Sequence, residues 1–266
     1  MNLYKQILEK AKLSKPIIAI ALKKVDQEIL EILTQSKEYA DIVIAGTKVS
    51  GYENYPKITA QDMSSMLISG EVDGIVHWNF GKQKIINALE NQYMEKVLRL
   101  NLMHFNNHYF FIGPLRTTGI DNMIFKLSIL QLAVSLMKDL AIEPKVAIFY
   151  CLEKYLGEDP NVDRIIFEGN YLTSFLSKEN INAKSYGDKV KEALDHGRNI
   201  LFAHNWTGAY LMGGTFFSAG ADLIAQPALT ERIFVSATGR LGPKTYLNAL
   251  KFACALVNIK KEKQKG

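Results

Sequence analysis

Short apolar runs rich in β-branched residues alternate along this chain with segments of helical period, and that alternation restricts the fold more than any other feature. Residues 16–22, 40–46, 72–76, 109–113, 144–150, 199–203, 222–226 and 232–236 read as strands. Between them, Val25, Ile29, Leu30 and Leu33 share one helical face, as do Ile85, Ile86 and Leu89, and Ile124, Leu127, Leu130, Val134 and Met137. Thr59 with Asp62 resembles a capping box ahead of Met63, Met66 and Leu67, and Asp159-Pro160 reads as an N-cap with proline at the first helical position. Strands joined by helices of this length require right-handed crossovers and a mainly parallel sheet. Continuously apolar strands such as IIAIAL and VAIFY fit a sheet covered on both faces.

The expected architecture is a two-lobed α/β/α sandwich. Residues 1–107 with 237–266 form the first lobe and 108–236 the second, crossing in the irregular stretch 101–118. A C-terminal helix carrying Leu247, Leu250, Phe252, Ala253 and Leu256 needs an apolar surface and is assigned to the first lobe.

Composition narrows the function by exclusion. The net charge is +5, but Lys260, Lys261, Lys263 and Lys265 form a solvated terminal run, so the body is close to neutral and lacks the basic stripe of a nucleic-acid binder. No apolar stretch is long enough to span a bilayer. The first fifteen residues mix Lys5, Glu9, Lys10 and Lys12 with Leu3, Ile7, Leu8 and Leu13, an amphipathic helix and not a signal peptide. Cys151 and Cys254 show no ligand spacing and read as incidental thiols of a cytoplasmic protein.

Familiar catalytic motifs are missing. No GxGxxG follows the first strand, Gly46 and Gly51 lack the Lys-Ser/Thr of a P-loop, and GxSxG is absent. His104 and His108 could chelate a metal only on a helix, and Asn106-Asn107 before Tyr109-Phe110-Phe111 reads as a turn entering a strand, so no metal is expected.

Four segments join a strand end to a helix, where open α/β sheets place ligands: 77–82, 113–119, 203–208 and 236–240. Their donors suit a small anion. Arg116 and Arg240 would grip it, Lys82 and Asn79 would add charge and a donor, and Thr117, Asn205, Thr207, Gly208 and Thr238 would orient it. Ser236 and Arg240 are candidate catalytic groups, and His77 the proton-transfer group, because histidine ordinarily titrates near neutrality. Any one of these loops is equally the Ser, Thr and Gly that turns demand. Trp78 and Trp206 could wall a planar ligand or simply fill a core.

SGEVDGIVHWNFGKQKIINAL (69–89) resembles the G-x-x-D strand and following helix of the phosphate acetyl/butyryltransferase superfamily. IEPKVAIFYCLEKYLGEDPNVDR (142–164) resembles its P-K-V-A strand and the loop and helix beyond. Residues 199–240 are similar to its A-D…P…G segment and closing strand. Within that superfamily the chain resembles the MtxX family, or methanogenesis marker protein four, a methyltransferase-related family of archaeal methanogenesis. The resemblance spans residues 16–257. It implies an isopropylmalate-dehydrogenase-like fold, a homodimer, an acyl- or methyl-carrying ligand and methyltransferase partner subunits, with a corrinoid partner left open.

In the acyltransferases an adjacent Ser-Arg pair ends the closing strand and an Asp follows. Here the strand ends Ser236-Ala237-Thr238-Gly239-Arg240 with no Asp, and His77-Trp78-Asn79 replaces the superfamily's K/S-G loop. Three functions therefore stay open: a transferase of the MtxX kind whose reaction and cofactor the residues do not specify, a phosphate acyltransferase with displaced catalytic residues, and a non-catalytic ligand-binding or partner protein.

Overall fold

The computed structural model describes residues 3–22, 25–46, 57–58, 60–78, 82–93, 97–115, 122–150, 152–229, 232–237, 242 and 244–265. The chain divides into two compact units, Met1–Leu98 with Leu223–Gly266, and Arg99–Asp222. The expected bounds at 107 and 236 differ from these for two reasons. Residues 101–113 pair with each other as a hairpin of the second unit, and the last strands, 222–236, pair into the first unit's sheet.

In the first unit, helix α1 (Leu3–Ala11), strand β1 (Ile17–Ala21), α2 (Gln27–Ser36), β2 (Asp41–Ala45), β3 (Lys57–Ile58), α3 (Ala60–Ser69), β4 (Gly74–His77) and α4 (Lys82–Tyr93) follow one another. The two-residue β5 (Leu98–Arg99) lies at the junction. The unit resumes with β11 (Asp222–Leu229), β12 (Ile233–Ser236) and α9 (Lys244–Lys263). Its sheet runs β3-β2-β1-β4-β12-β11, parallel except for β11. One face carries Ala19, Ala21, Ile75 and Phe234 under Met63 and Leu67 of α3 and Ile85, Ile86 and Leu89 of α4. Period-two alternation sends Ile18, Ile20, Val76 and Val235 to the other face, all buried on the side of α9.

Helix α9 also closes the chain onto its own beginning. Asn258, 2% exposed, donates through Nδ2 to the Lys10 and Ser14 carbonyls and accepts from the Ser14 hydroxyl, so one side chain satisfies carbonyls that the end of α1 leaves open. The terminal lysines are not a loose run. Lys260, Lys261 and Lys263 occupy the last turn of α9, where cations favour the helix dipole, and Lys261 pairs with Asp73 at 2.9 Å. Cys254 is buried on α9, and burial pushes its thiol up to about 12, which leaves it unreactive. Cys151 lies outside the described residues.

The second unit holds β6 (Asn101–Phe105), β7 (His108–Gly113), α5 (Met123–Asp139), β8 (Lys145–Phe149), a 3-10 turn (Glu153–Tyr155), α6 (Pro160–Lys178), β9 (Asn182–Ser185), α7 (Val190–Asp195), β10 (Ile200–Ala203) and α8 (Trp206–Ser218). Its strand order is β6-β7-β10-β8-β9, parallel from β7 onward. Asn106 and Asn107, with φ of 46° and 64°, make the β6–β7 turn, the left-handed pair that a two-residue hairpin favours. His104 and His108 sit on its two arms, and His104 stacks on Tyr109.

Gly169 shows how closely α6 lies on β8: a Cβ there would come within 3.0 Å of the Tyr150 side chain. Gly169→Ala is expected to destabilise the unit by about 1–2 kcal/mol net of its helix-propensity gain. Urea unfolding checks this, and an unchanged midpoint would contradict the packing described.

Candidate functional site

His77 is the last residue of β4 and Ser236 the last of β12, and these neighbouring parallel strands place the two in register. Ala21 on β1 lies across from His77, and Gln226 on β11 across from Ser236. Residues in register point to the same face, so Ala21, His77, Ser236 and Gln226 form a row at the carboxyl edge of the sheet, on the α3/α4 side. Helix α4 begins at Lys82, whose ammonium donates to Gln226 Oε1 at 3.1 Å.

The chain path opens this edge. From β1 it departs through α2, which packs with α9, and from β4 it departs through α4, which packs with α3. Adjacent strands that send their chains apart leave a crevice at their carboxyl ends, the usual ligand position in such sheets.

The chemistry centres on one contact, 2.9 Å between His77 Nδ1 and Ser236 Oγ. Ser236 is fully buried, and its hydroxyl donates to the Ala237 carbonyl at 3.3 Å. Burial first, and then the nearby Lys82 charge, push the His77 imidazole down from 6.5 to about 4, against the opposing pull of the His77 and Ala237 carbonyls. The ring is therefore neutral at physiological pH. The titration near neutrality that singles out His77 in the sequence is not what the folded chain gives it.

The remaining candidates divide between the units. Asn205, Thr207 and Gly208 belong to the second. Asn205 is the N-cap of α8, its Oδ1 accepting from the Gly208 N–H at 2.9 Å, so its acceptor serves the helix. Gly208 is held by packing, since a Cβ would meet that of Ala203 at 3.3 Å. Thr207 is exposed in the first turn. Asn79, Arg116, Thr117, Thr238 and Arg240 lie outside the described residues.

Trp78 points to the opposite face from His77, fully buried and stacked on Tyr246 at 4.8 Å. It is core and not a ligand wall. Trp206 is exposed beside Tyr210 on α8. Among the described residues no three metal-ligating side chains gather. Nor is any described helix long and apolar enough to cross a membrane.

Sequence reasoning missed a second polar cluster. In the second unit Lys126, 2% exposed, reaches Glu168 Oε2 at 2.8 Å, and His204 Nε2 lies 3.5 Å from the same oxygen. One signal was available. Lys126 falls on the stripe of α5 that also carries Ile129, Leu130, Ala133 and Met137, and a lysine on an apolar stripe needs a buried partner.

No family model matches the chain. Among curated proteins it is similar to "Putative methyltransferase mtx subunit X" of Methanosarcina mazei, 23% identical over 279 residues, covering 99% of this chain and 98% of that protein. The protein of the same name from Methanosarcina barkeri is 24% identical over 272 residues, covering 96% and 98%. Among solved structures, a phosphotransacetylase from Streptococcus pyogenes superposes with a TM-score of 0.71 at 12% identity, covering 98% of each chain. The EutD phosphotransacetylase from Staphylococcus aureus gives 0.68 at 10%, covering 96% of this chain and 98% of that one. Similar in sequence over almost its whole length to the Methanosarcina mtx subunit X proteins, and built on the phosphotransacetylase fold, this chain is their relative.

Proposed function

We propose that this chain belongs to a group-transfer system of the kind its Methanosarcina relatives are named for, and that His77, Ser236 and Lys82 hold the anionic end of the transferred group's carrier. The observation behind this reading is the 2.9 Å contact between His77 and buried Ser236. A hydroxyl has one proton, and Ser236 gives it to the Ala237 carbonyl. The bond to Ser236 then takes its proton from His77 Nδ1, and Nε2 is left as the acceptor. A neutral ring of depressed basicity accepts a hydrogen bond without adding charge, and the Lys82 ammonium supplies the charge. Such a pair suits a monohydrogen phosphate or a protonated acyl carrier. Asn79, Thr238 and Arg240, which follow the same two strands in the sequence, would add donors to the grip.

The test is equilibrium binding of inorganic phosphate and acetyl phosphate, together with acetyl transfer to coenzyme A. Binding is expected in the native chain and about tenfold weaker in His77→Ala and Lys82→Met, the size of one charge-assisted hydrogen bond. No acetyl transfer is expected, because the adjacent Ser-Arg pair of the acyltransferases is absent. Turnover of acetyl phosphate with coenzyme A would instead establish a phosphate acyltransferase with displaced residues. Absence of binding to either anion would refute the site.

We also propose a homodimer working in the cytosol with methyltransferase partner subunits. The apolar face of α8 around Phe216 does not support the dimer, because Phe216 is buried against Phe105 and Phe110 of its own unit. Tyr210 and Leu211, on the outer face of α8, are 61% and 69% exposed and offer an apolar surface. Sedimentation at micromolar concentration should give twice the 29.9 kDa chain mass, and a monomer would exclude the dimer.

A further inference from the structure

The second unit repeats, in its own sheet, the arrangement that opens a crevice in the first. From β8 the chain enters α6, which lies over β8 and β9; from the neighbouring β10 it enters α8, which lies over β10 and β7. The two strands send their chains in opposite directions, and a ligand belongs at their carboxyl ends. A cavity of about 390 Å³ sits there, lined by Phe149 at the end of β8 and Tyr150 just after it, Asp188 after β9, His204 after β10, and Lys154 and Tyr155 of the 3-10 turn. It continues into a groove that adds Lys184, Ser185 and Lys189.

The lining is specific in chemistry. Tyr155 is 40% exposed, and the Lys154 ammonium lies over one face of its ring, 4.8 Å from the centroid, so a ligand ring would stack on the other face. Asp188, following the second strand of a β-α-β unit, occupies the place where such folds put a carboxylate against a sugar hydroxyl. The N-terminus of α6 is not open to a pyrophosphate. Asp159 Oδ1 accepts from Asn161 and Val162, and Asp163 accepts from the Gly157 N–H. A phosphate would have to be met by lysine.

The floor is fixed. Asn205 Oδ1 is committed to the α8 cap, which turns its Nδ2 toward His204 Nδ1 at 3.3 Å. An amide N–H there makes Nδ1 the acceptor, so the His204 proton is on Nε2, facing Glu168. Gly187 is required at the rim: its φ is +58°, and a Cβ would run into the Leu152 side chain.

We infer that this cavity binds a small molecule with a flat ring and a single anionic group, of the class of the nucleoside monophosphates. The ring rests against Tyr155, hydroxyls reach Asp188, and the anion meets Lys154. All of its lining residues belong to the second unit, whereas His77 and Ser236 belong to the first.

Calorimetric titration of the full chain with AMP, adenosine and inorganic phosphate tests it. AMP is expected to bind with a dissociation constant below about 1 mM and more tightly than either fragment. Tyr155→Ala should weaken AMP about tenfold, the size of one ring stack, and its exposed position leaves folding intact. Lys154→Ala should weaken AMP about tenfold and leave adenosine unchanged. His77→Ala should bind AMP as the native chain does, which keeps failure of one site distinct from failure of the other. No AMP binding, phosphate binding as tightly as AMP in the His77→Ala variant, or a Tyr155→Ala variant with native affinity would each overturn the inference.

Discussion

Lowering the pH from about 6.5 to 4 is expected to remove about 3 kcal/mol of stability from the native chain relative to His77→Gln. In the unfolded chain His77 takes up its proton near 6.5, and in the folded chain only near 4. Between those values the unfolded state binds the extra proton, so stability falls as the pH falls. Above 6.5 both states are neutral and the contribution is complete; below 4 both are charged and the loss is complete. Denaturant unfolding at several pH values, native against His77→Gln, isolates this group from the carboxylates that titrate beside it. Two parallel stability curves would mean that the buried imidazole is not held neutral.

The second large effect belongs to the other unit. Lys126→Met is expected to cost about 3 kcal/mol, because Glu168 loses its 2.8 Å partner while largely shielded from water. Removing both charges should be far milder. The double variant Lys126→Met, Glu168→Gln is expected within about 1 kcal/mol of native, since a neutral pair of similar volume needs no desolvation. The double-mutant cycle is read from urea midpoints. Additive losses would show that the pair is not coupled. His204 and Arg164 also approach Glu168, at 3.5 and 3.9 Å, and they set how much of its charge stays compensated in the single variant.

The buried parallel strands were legible because each is a continuous apolar run, as in Ile17–Ala21 and Lys145–Phe149. Four others were not, among them the two-residue β5 at Leu98–Arg99. β9 reads Asn-Ala-Lys-Ser, and as a sheet edge it is mostly exposed, so it carries no apolar signal. β3 is two residues long, and β6 falls in the stretch that reads as irregular. Helices α2, α4 and α5 were legible from their periods and α7 was not, and α9 continues to Lys263, beyond its apolar repeat, because Asp73 and Asn258 hold its last turns against the first unit.

The candidate site was legible in part for a related reason. His77 and Ser236 each end an apolar strand, which marks them as edge residues. Their contact depends on β12 returning beside β4 after 159 residues, which no local pattern reveals. Asn205 looked like a ligand donor from its loop, yet an asparagine three residues before a glycine N–H is also an N-cap, and the helix took it. Lys126 and Glu168 stand 42 residues apart on two helices, so the lysine's misplaced position on α5 was the only trace of the pair.

The central claim is that burial and Lys82 keep His77 neutral, with Nδ1–H donating to the Ser236 oxygen and Nε2 open as an acceptor. Nitrogen-15 NMR of the labelled histidine ring across pH 3 to 8 measures this directly. The account predicts a midpoint near 4 with the Nδ1–H tautomer above it, and an upward shift of that midpoint in Lys82→Met. A midpoint near 6.5 that Lys82→Met leaves unmoved would contradict it.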